Sequence, residues 1–252
     1  MKQAIFPWKA DGLSGLGIKR DKDPVQKMVI LLHGYRGDAE SNTAFALKLF
    51  EACPHAVVLV PDGIEPIPPG DDPHHRQWWD LPESEFNGEL CSFMPYYASR
   101  QKQRLMKQIG FGLQNTAALL NRFILNRLAE YSLSLSDCFL AGISQGGITA
   151  FEMTLFRKEL HGSGDDFLGG LISIGSGILG ADRLRDLTVP PIPVLLARGR
   201  RDEIFPKTVD YFSRSLLKEK QMPVVLTEAD SVHFGLEHAV SDAVCGFIRE
   251  HG

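Results

Sequence analysis

Cys138-Phe139-Leu140-Ala141-Gly142-Ile143-Ser144-Gln145-Gly146-Gly147-Ile148-Thr149-Ala150-Phe151-Glu152-Met153 is the stretch on which the fold turns. Cys138 to Ala141 reads as the end of a short buried strand, and Gly147 to Met153 reads as a helix. Between them, Gly142-Ile143-Ser144-Gln145-Gly146 fits G-x-S-x-G. A serine on so tight a strand-to-helix turn takes an unfavourable backbone conformation, and its hydroxyl stands clear of the sheet. Flanking glycines leave room where side chains would collide. The helix start aims free N–H groups at the same point, which suits a developing negative charge. The competing reading is a serine that only caps the helix.

Working outward, the same strand-then-helix rhythm recurs. Short apolar, β-branched runs predict strands at Met28 to Leu32, Ala56 to Val60, Cys138 to Ala141, Gly170 to Ile174, Val194 to Ala197 and Val224 to Thr227. Continuous apolar runs suit strands covered on both faces. Helices are expected at Ala44 to Cys53, from about Arg100 to about Tyr131, at Lys207 to Lys218 and at Leu236 to Ile248. In the long one, Leu105, Ile109, Leu113, Ala117, Leu120 and Ile124 fall nearly on one stripe, with Gly110 and Gly112 as weak points. Residues before Met28 suggest a further strand or hairpin. The pattern predicts an α/β fold, a mostly parallel central sheet with helices on both faces. No linker divides the chain, so residues 1–252 are expected to form one domain. The segment 61–99 breaks the rhythm. It is rich in Pro, Gly and Asp, with Trp78, Trp79, Phe86, Phe93, Tyr96 and Tyr97 interspersed. A long loop or lid over a pocket is the favoured reading.

Bulk properties exclude several function classes. Hydrophobic content is 44% and charged content 23%, ordinary for a globular protein. A net charge of −4 without a basic run argues against a nucleic-acid partner. No stretch is long and apolar enough to span a bilayer. The amino terminus lacks the apolar core of a secretory signal, so the expected location is cytoplasmic. Cys53, Cys91, Cys138 and Cys245 form no C-x-x-C pair and read as free thiols.

A serine hydroxyl is a poor nucleophile without a base, and the base needs an acid to orient it. On a strand-turn-helix serine, those partners follow in the order Asp or Glu, then His. Asp202 lies just beyond the strand ending at Ala197, and His233 just beyond the strand ending at Thr227. Both positions sit at the carboxyl edge of the sheet, where open parallel sheets gather ligands. Glu203 is the rival acid. His238, inside the last helix, and His251, near the end, are weaker rivals for the base. The strand ending in Leu32-His33-Gly34 supplies the third part. An oxyanion hole is expected from the backbone N–H groups of Tyr35 and Gln145. His33 reads as structural, holding its loop. Trp78 and Trp79 are candidate substrate-binding residues; buried packing is the equal alternative. His74, His75, Asp71 and Asp72 invite a metal, but a solvated polar loop explains them better, and none is expected.

These segments resemble the phospholipase/carboxylesterase family of α/β-hydrolases, which includes acyl-protein thioesterases and small bacterial carboxylesterases. The resemblance rests on Leu32-His33-Gly34, Val60-Pro61-Asp62-Gly63, Trp78-Trp79-Asp80, Gly142 through Gly147, Gly199 through Pro206, and His233, in that order. It implies the α/β-hydrolase fold and a Ser144–Asp202–His233 triad. It implies hydrolysis of carboxylic esters or thioesters without a cofactor, on acyl chains of short to medium length. Implied partners are a small-molecule ester or thioester, with lysophospholipids or acylated proteins as candidates, and a homodimer as a candidate assembly. Tyr35-Arg36-Gly37-Asp38 replaces the family's glycine-rich run, and Val232 stands where the family commonly has Gly. A non-catalytic ligand-binding relative is the alternative, and its expected mark would be a lost triad member.

Overall fold

A computed structural model describes residues 3–21, 23–67, 71–81, 100–162 and 166–252. The side chains of 100–103 and 106 lie outside that description. Strands are β1 (Gln3–Ala10), β2 (Leu13–Arg20), β3 (Lys27–Leu32), β4 (Ala56–Pro61), β5 (Glu65–Pro66), β6 (Arg76–Gln77), β7 (Cys138–Ile143), β8 (Gly170–Ile174), β9 (Val194–Gly199) and β10 (Val224–Ala229). Helices are α1 (Thr43–Ala52), α2 (Arg100–Tyr131), α3 (Gln145–Phe156), α4 (Lys207–Glu219), α5 (Leu236–Ala239) and α6 (Ser241–His251).

The main sheet has eight strands in the order β1-β2-β4-β3-β7-β8-β9-β10. From β4 to β10 every pairing is parallel; β1 and β2 form an antiparallel hairpin on the β4 edge. That hairpin realises the expectation for the residues before Met28. Buried inner strands and alternating edge strands differ for a physical reason. β4 and β7 are buried along their whole length because helices cover both faces. β1 alternates between exposed and partly covered positions, and no residue of β10 is fully buried, because both lie at the edges.

The pleat sends alternate residues of β3 to opposite sides. Met28, Ile30 and Leu32 join one core cluster with the α2 stripe Leu105, Ile109, Leu113, Ala117, Leu120 and Ile124. Val29 and Leu31 join the other, with Phe45, Leu49 and Phe50 of α1 and Val244, Phe247 and Ile248 of α6. The α2 helix runs through Gly110 and Gly112 unbroken, since the buried stripe outweighs the cost of two glycines of ~1 kcal/mol each. One expected element differs. Leu236 to Ile248 is two helices, separated at Val240.

Among the described residues, no helix is long and apolar enough to cross a membrane. Cys53, Cys138 and Cys245 are free. Burial pushes the Cys138 thiol up to about 12, so it is inert at neutral pH. Cys91 lies outside the described residues. Of the expected lid 61–99, the description covers 61–67 and 71–81, including the β5–β6 pair. The rest of it, with Phe86, Phe93, Tyr96 and Tyr97, falls outside.

Candidate active site

Ser144 takes φ 51° and ψ −114°, a conformation that L-residues avoid at a cost of ~1–3 kcal/mol. Its neighbours impose it. The Ser144 N–H donates to the Ile174 carbonyl at 2.9 Å, and its carbonyl accepts the Ile148 N–H at 3.1 Å. One bond holds the serine to β8 while the other starts α3. The turn also needs close approach. A Cβ on Gly142 would strike the Gly146 carbonyl, and one on Gly146 would strike the carbonyl oxygens of Leu32 and His33. The glycines of the motif therefore let the start of α3 press against the end of β3. No side-chain cap bond forms at Ser144, which removes the capping alternative.

The Ser144 hydroxyl instead meets an imidazole. Ser144 Oγ–H donates to His233 Nε2 at 2.9 Å. His233 Nδ1–H donates to Asp202 Oδ2 at 2.8 Å. A carboxylate only accepts, so it holds the imidazole proton on Nδ1 and leaves Nε2 open to the serine. Asp202 is itself fixed. Its Oδ1 accepts the N–H groups of Ile204 at 2.9 Å and Phe205 at 2.8 Å. The turns carrying Asp202 and His233 also brace each other, through Arg200 N–H to the Ala229 carbonyl and Arg201 N–H to the Ser231 carbonyl. Glu203 is exposed, turned away by the same geometry that buries Asp202. His238 is exposed and lies 3.5 Å from Glu237. His251 bonds the Phe247 carbonyl, far along the chain from Ser144.

The His233 ring stacks on Phe205 at 5.6 Å and meets Phe234 edge-on at 5.5 Å. Phe205 is buried, whereas Phe234 is 80% exposed and Val232 is 47% exposed. An apolar rim thus borders the imidazole. Gly175 lies beneath it at φ +54°, and a Cβ there would crowd Asp202 Oδ2 and His233 Cε1.

The loop after β3 lies against the serine. A Cβ placed on Gly34 would stand 3.5 Å from Ser144 Cβ. His33 is fully buried and completely bonded. Its Nε2 accepts the Gly63 N–H at 2.8 Å, so Nδ1 carries the proton and donates to the Gly34 carbonyl at 2.8 Å. Burial lowers its pKa and keeps the ring neutral. Tyr35 is followed by Arg36, whose N–H donates to the Arg76 carbonyl at 3.0 Å, and the Arg76 N–H returns to the Gly37 carbonyl. Arg36 also pairs with Asp71 at 2.6 Å, and Asp71 with His75. The polar run 71–76 is thereby spent on clasping the β3 loop. Among the described residues, no group of three or more His, Cys, Asp or Glu side chains gathers as a metal site.

Trp78 and Trp79 require a correction. Neither forms a platform; both are buried, at 0% and 1% exposure. Each ring N–H is taken up internally, Trp78 Nε1 by the His33 carbonyl at 2.8 Å and Trp79 Nε1 by Thr149 Oγ1 at 3.2 Å. The Gln145 side chain, for which the sequence offered no role, holds the same dipeptide. Its Oε1 accepts the Trp78 N–H at 2.9 Å, and its Nε2 donates to the Trp79 carbonyl at 2.8 Å. A second group missed from sequence is Asp210. Burial pushes its carboxyl up to about 7, against the pull of Arg198. A lone Asp on a helix carries no sequence signal for this.

The sheet order, the strained serine and the bonded imidazole together define an α/β-hydrolase. The phospholipase/carboxylesterase family profile matches residues 14–251, and the chain belongs to that family. The family is one of ester hydrolases, described as phospholipases and carboxylesterases. Solved structures share the fold. Esterase PE8 aligns over 95% of this chain and 99% of its own, at 22% identity and a TM-score of 0.74. SOBER1 of Arabidopsis thaliana aligns over 90% and 99%, at 15% identity and 0.65. The Bacillus cereus carboxylesterase aligns over 95% and 95%, also at 15% and 0.65.

Proposed function

We propose that the protein is a serine carboxylesterase in which Ser144 is the nucleophile, His233 the general base and acid, and Asp202 its orienting acid. The observation that supports this most is the unbroken relay from Ser144 Oγ through both ring nitrogens of His233 to Asp202. As Ser144 Oγ attacks the acyl carbonyl carbon, its proton passes to His233 Nε2, and the carbonyl π electrons move onto oxygen. The backbone N–H groups of Tyr35 and Gln145 hold that oxyanion. The tetrahedral centre then collapses. The bond to the leaving oxygen breaks, and the proton on Nε2 goes to the departing alcohol. Water next gives a proton to Nε2 while its oxygen attacks the acyl-enzyme, and the acid leaves as Ser144 regains its proton. Asp202 stays ionised throughout and stabilises the imidazolium.

The buried neutral His33 takes no part in proton transfer. The apolar rim of Val232 and Phe234 supports acyl chains of short to medium length. A thioester reacts through the same steps with a thiol leaving. Lysophospholipids and acylated proteins are substrates for the same screen. Ser144→Ala should abolish turnover of a short p-nitrophenyl ester and labelling by a fluorophosphonate while the melting temperature holds. Unchanged turnover rejects the proposal. A folded parent protein that takes no label points to a non-catalytic ligand-binding role.

A further inference from the structure

We propose that Trp78 and the side chain of Gln145 are positioning residues that set the separation of the two oxyanion-hole donors. The inference rests on the oxyanion reading above. Those donors belong to different parts of the chain. One follows His33-Gly34 on the loop after β3, and the other opens α3. The β3–β7 ladder registers the two strands as far as Leu32 opposite Gly142. Beyond that pair no ladder bond ties the β3 loop to α3, and the two meet in van der Waals contact, Gly146 against the Leu32 and His33 carbonyls.

Trp78 bonds to both sides of this contact. Its indole N–H grips the His33 carbonyl, one residue before Gly34, at 2.8 Å. Its backbone N–H grips Gln145 Oε1 at 2.9 Å, and Gln145 Nε2 closes the ring of bonds on the Trp79 carbonyl at 2.8 Å. The Trp78 ring also packs on the His33 imidazole, with centroids 4.8 Å apart. The tie is anchored from outside. Thr116 of α2 donates to the Trp78 carbonyl, and Thr149 of α3 receives the Trp79 ring N–H. His33, Trp78 and Gln145 are all buried, so water cannot replace a lost bond there. Bonds of fixed length between rigid groups make this a spacer. Transition-state stabilisation by two donors is steeply sensitive to such spacing, and a displacement of ~1 Å can cost about 100-fold in rate.

Trp78→Phe keeps an aromatic ring and deletes the N–H that reaches His33. Gln145→Met keeps length and the backbone N–H while deleting both side-chain bonds. For each, kcat per active site, counted by fluorophosphonate titration, should fall about 10- to 100-fold with KM within about threefold. Affinity for an alkyl boronic acid, whose tetrahedral adduct on Ser144 fills the oxyanion hole, should fall in proportion. The pH profile of kcat/KM should keep its inflections, because His233 is untouched. A purely structural role would instead lower the melting temperature and the titratable fraction, leaving kcat per site and boronate affinity within twofold. That result overturns the proposal. Gln145→Met decides alone where Trp78→Phe does not fold; if neither folds, the pair is a folding element and the proposal falls. Activity persisting in Ser144→Ala would strike the esterase reading instead, so the two failures are distinct.

Discussion

Replacing Asp202 by Asn tests the relay at a group that never touches substrate. The change swaps one atom at almost constant volume. Oδ1 already accepts two N–H groups, at 2.9 and 2.8 Å. Only the amide oxygen can hold that place, because an NH2 there would face two donors. The amide nitrogen therefore lands where Oδ2 stood, 2.8 Å from His233 Nδ1. An NH2 donates, so Nδ1 must accept and the ring proton moves to Nε2. Nε2–H then faces the Ser144 hydroxyl and cannot take its proton. Flipping the amide would orphan two N–H donors at ~1–3 kcal/mol each, so the wrong tautomer is held. The expected loss is about 10⁴-fold in kcat. At ~1.4 kcal/mol per decade, that is about 5.5 kcal/mol of transition-state stabilisation. Saturation kinetics on a short p-nitrophenyl ester, with melting curves as control, read it directly. Glu203→Gln should stay within about twofold, since that side chain is exposed. An Asp202→Asn enzyme within tenfold of the parent refutes the tautomer argument.

Two further expectations concern the scaffold. Gly146→Ala places a methyl against the carbonyl oxygens of Leu32 and His33; it should destabilise by ~2 kcal/mol or more in chemical unfolding, and a neutral result would mean that the α3–β3 approach is looser than described. Asp210→Asn should stabilise in a pH-dependent way. The native carboxyl keeps its proton to about 7, pushed there by burial, while the unfolded chain releases it near 3.8. Between those values the native state binds the extra proton, so this group's contribution to stability falls as pH rises through the window. Asn avoids that penalty. The gain should be on the order of 4 kcal/mol near pH 8.5 and shrink toward zero as pH drops to about 4. A gain independent of pH would remove the burial explanation.

Much of the scaffold was legible because its determinants are local. Parallel strands covered on both faces are predominantly apolar, so β3, β4, β7, β8 and β9 announce themselves as short, largely continuous apolar runs. Strand ends were less legible. β9 and β10 each run two residues past their apolar stretch, because backbone pairing continues after the side chains turn polar. The break at Val240 left no Gly or Pro to mark it.

The order Ser144, Asp202, His233 is a property of the chain, and so is the glycine spacing that lets Ser144 adopt its strained turn. What no linear reading decides is which side chains face inward and which become enclosed. Asp202 and Glu203 are adjacent and chemically alike; a turn closed by the Ile204 and Phe205 amides buries one and exposes the other. The tryptophan pair is equally compatible with a wall or a core until α2 and α3 close over it. Burial and hydrogen-bond pairing depend on neighbours that are distant in the chain, and only the tertiary structure supplies those neighbours.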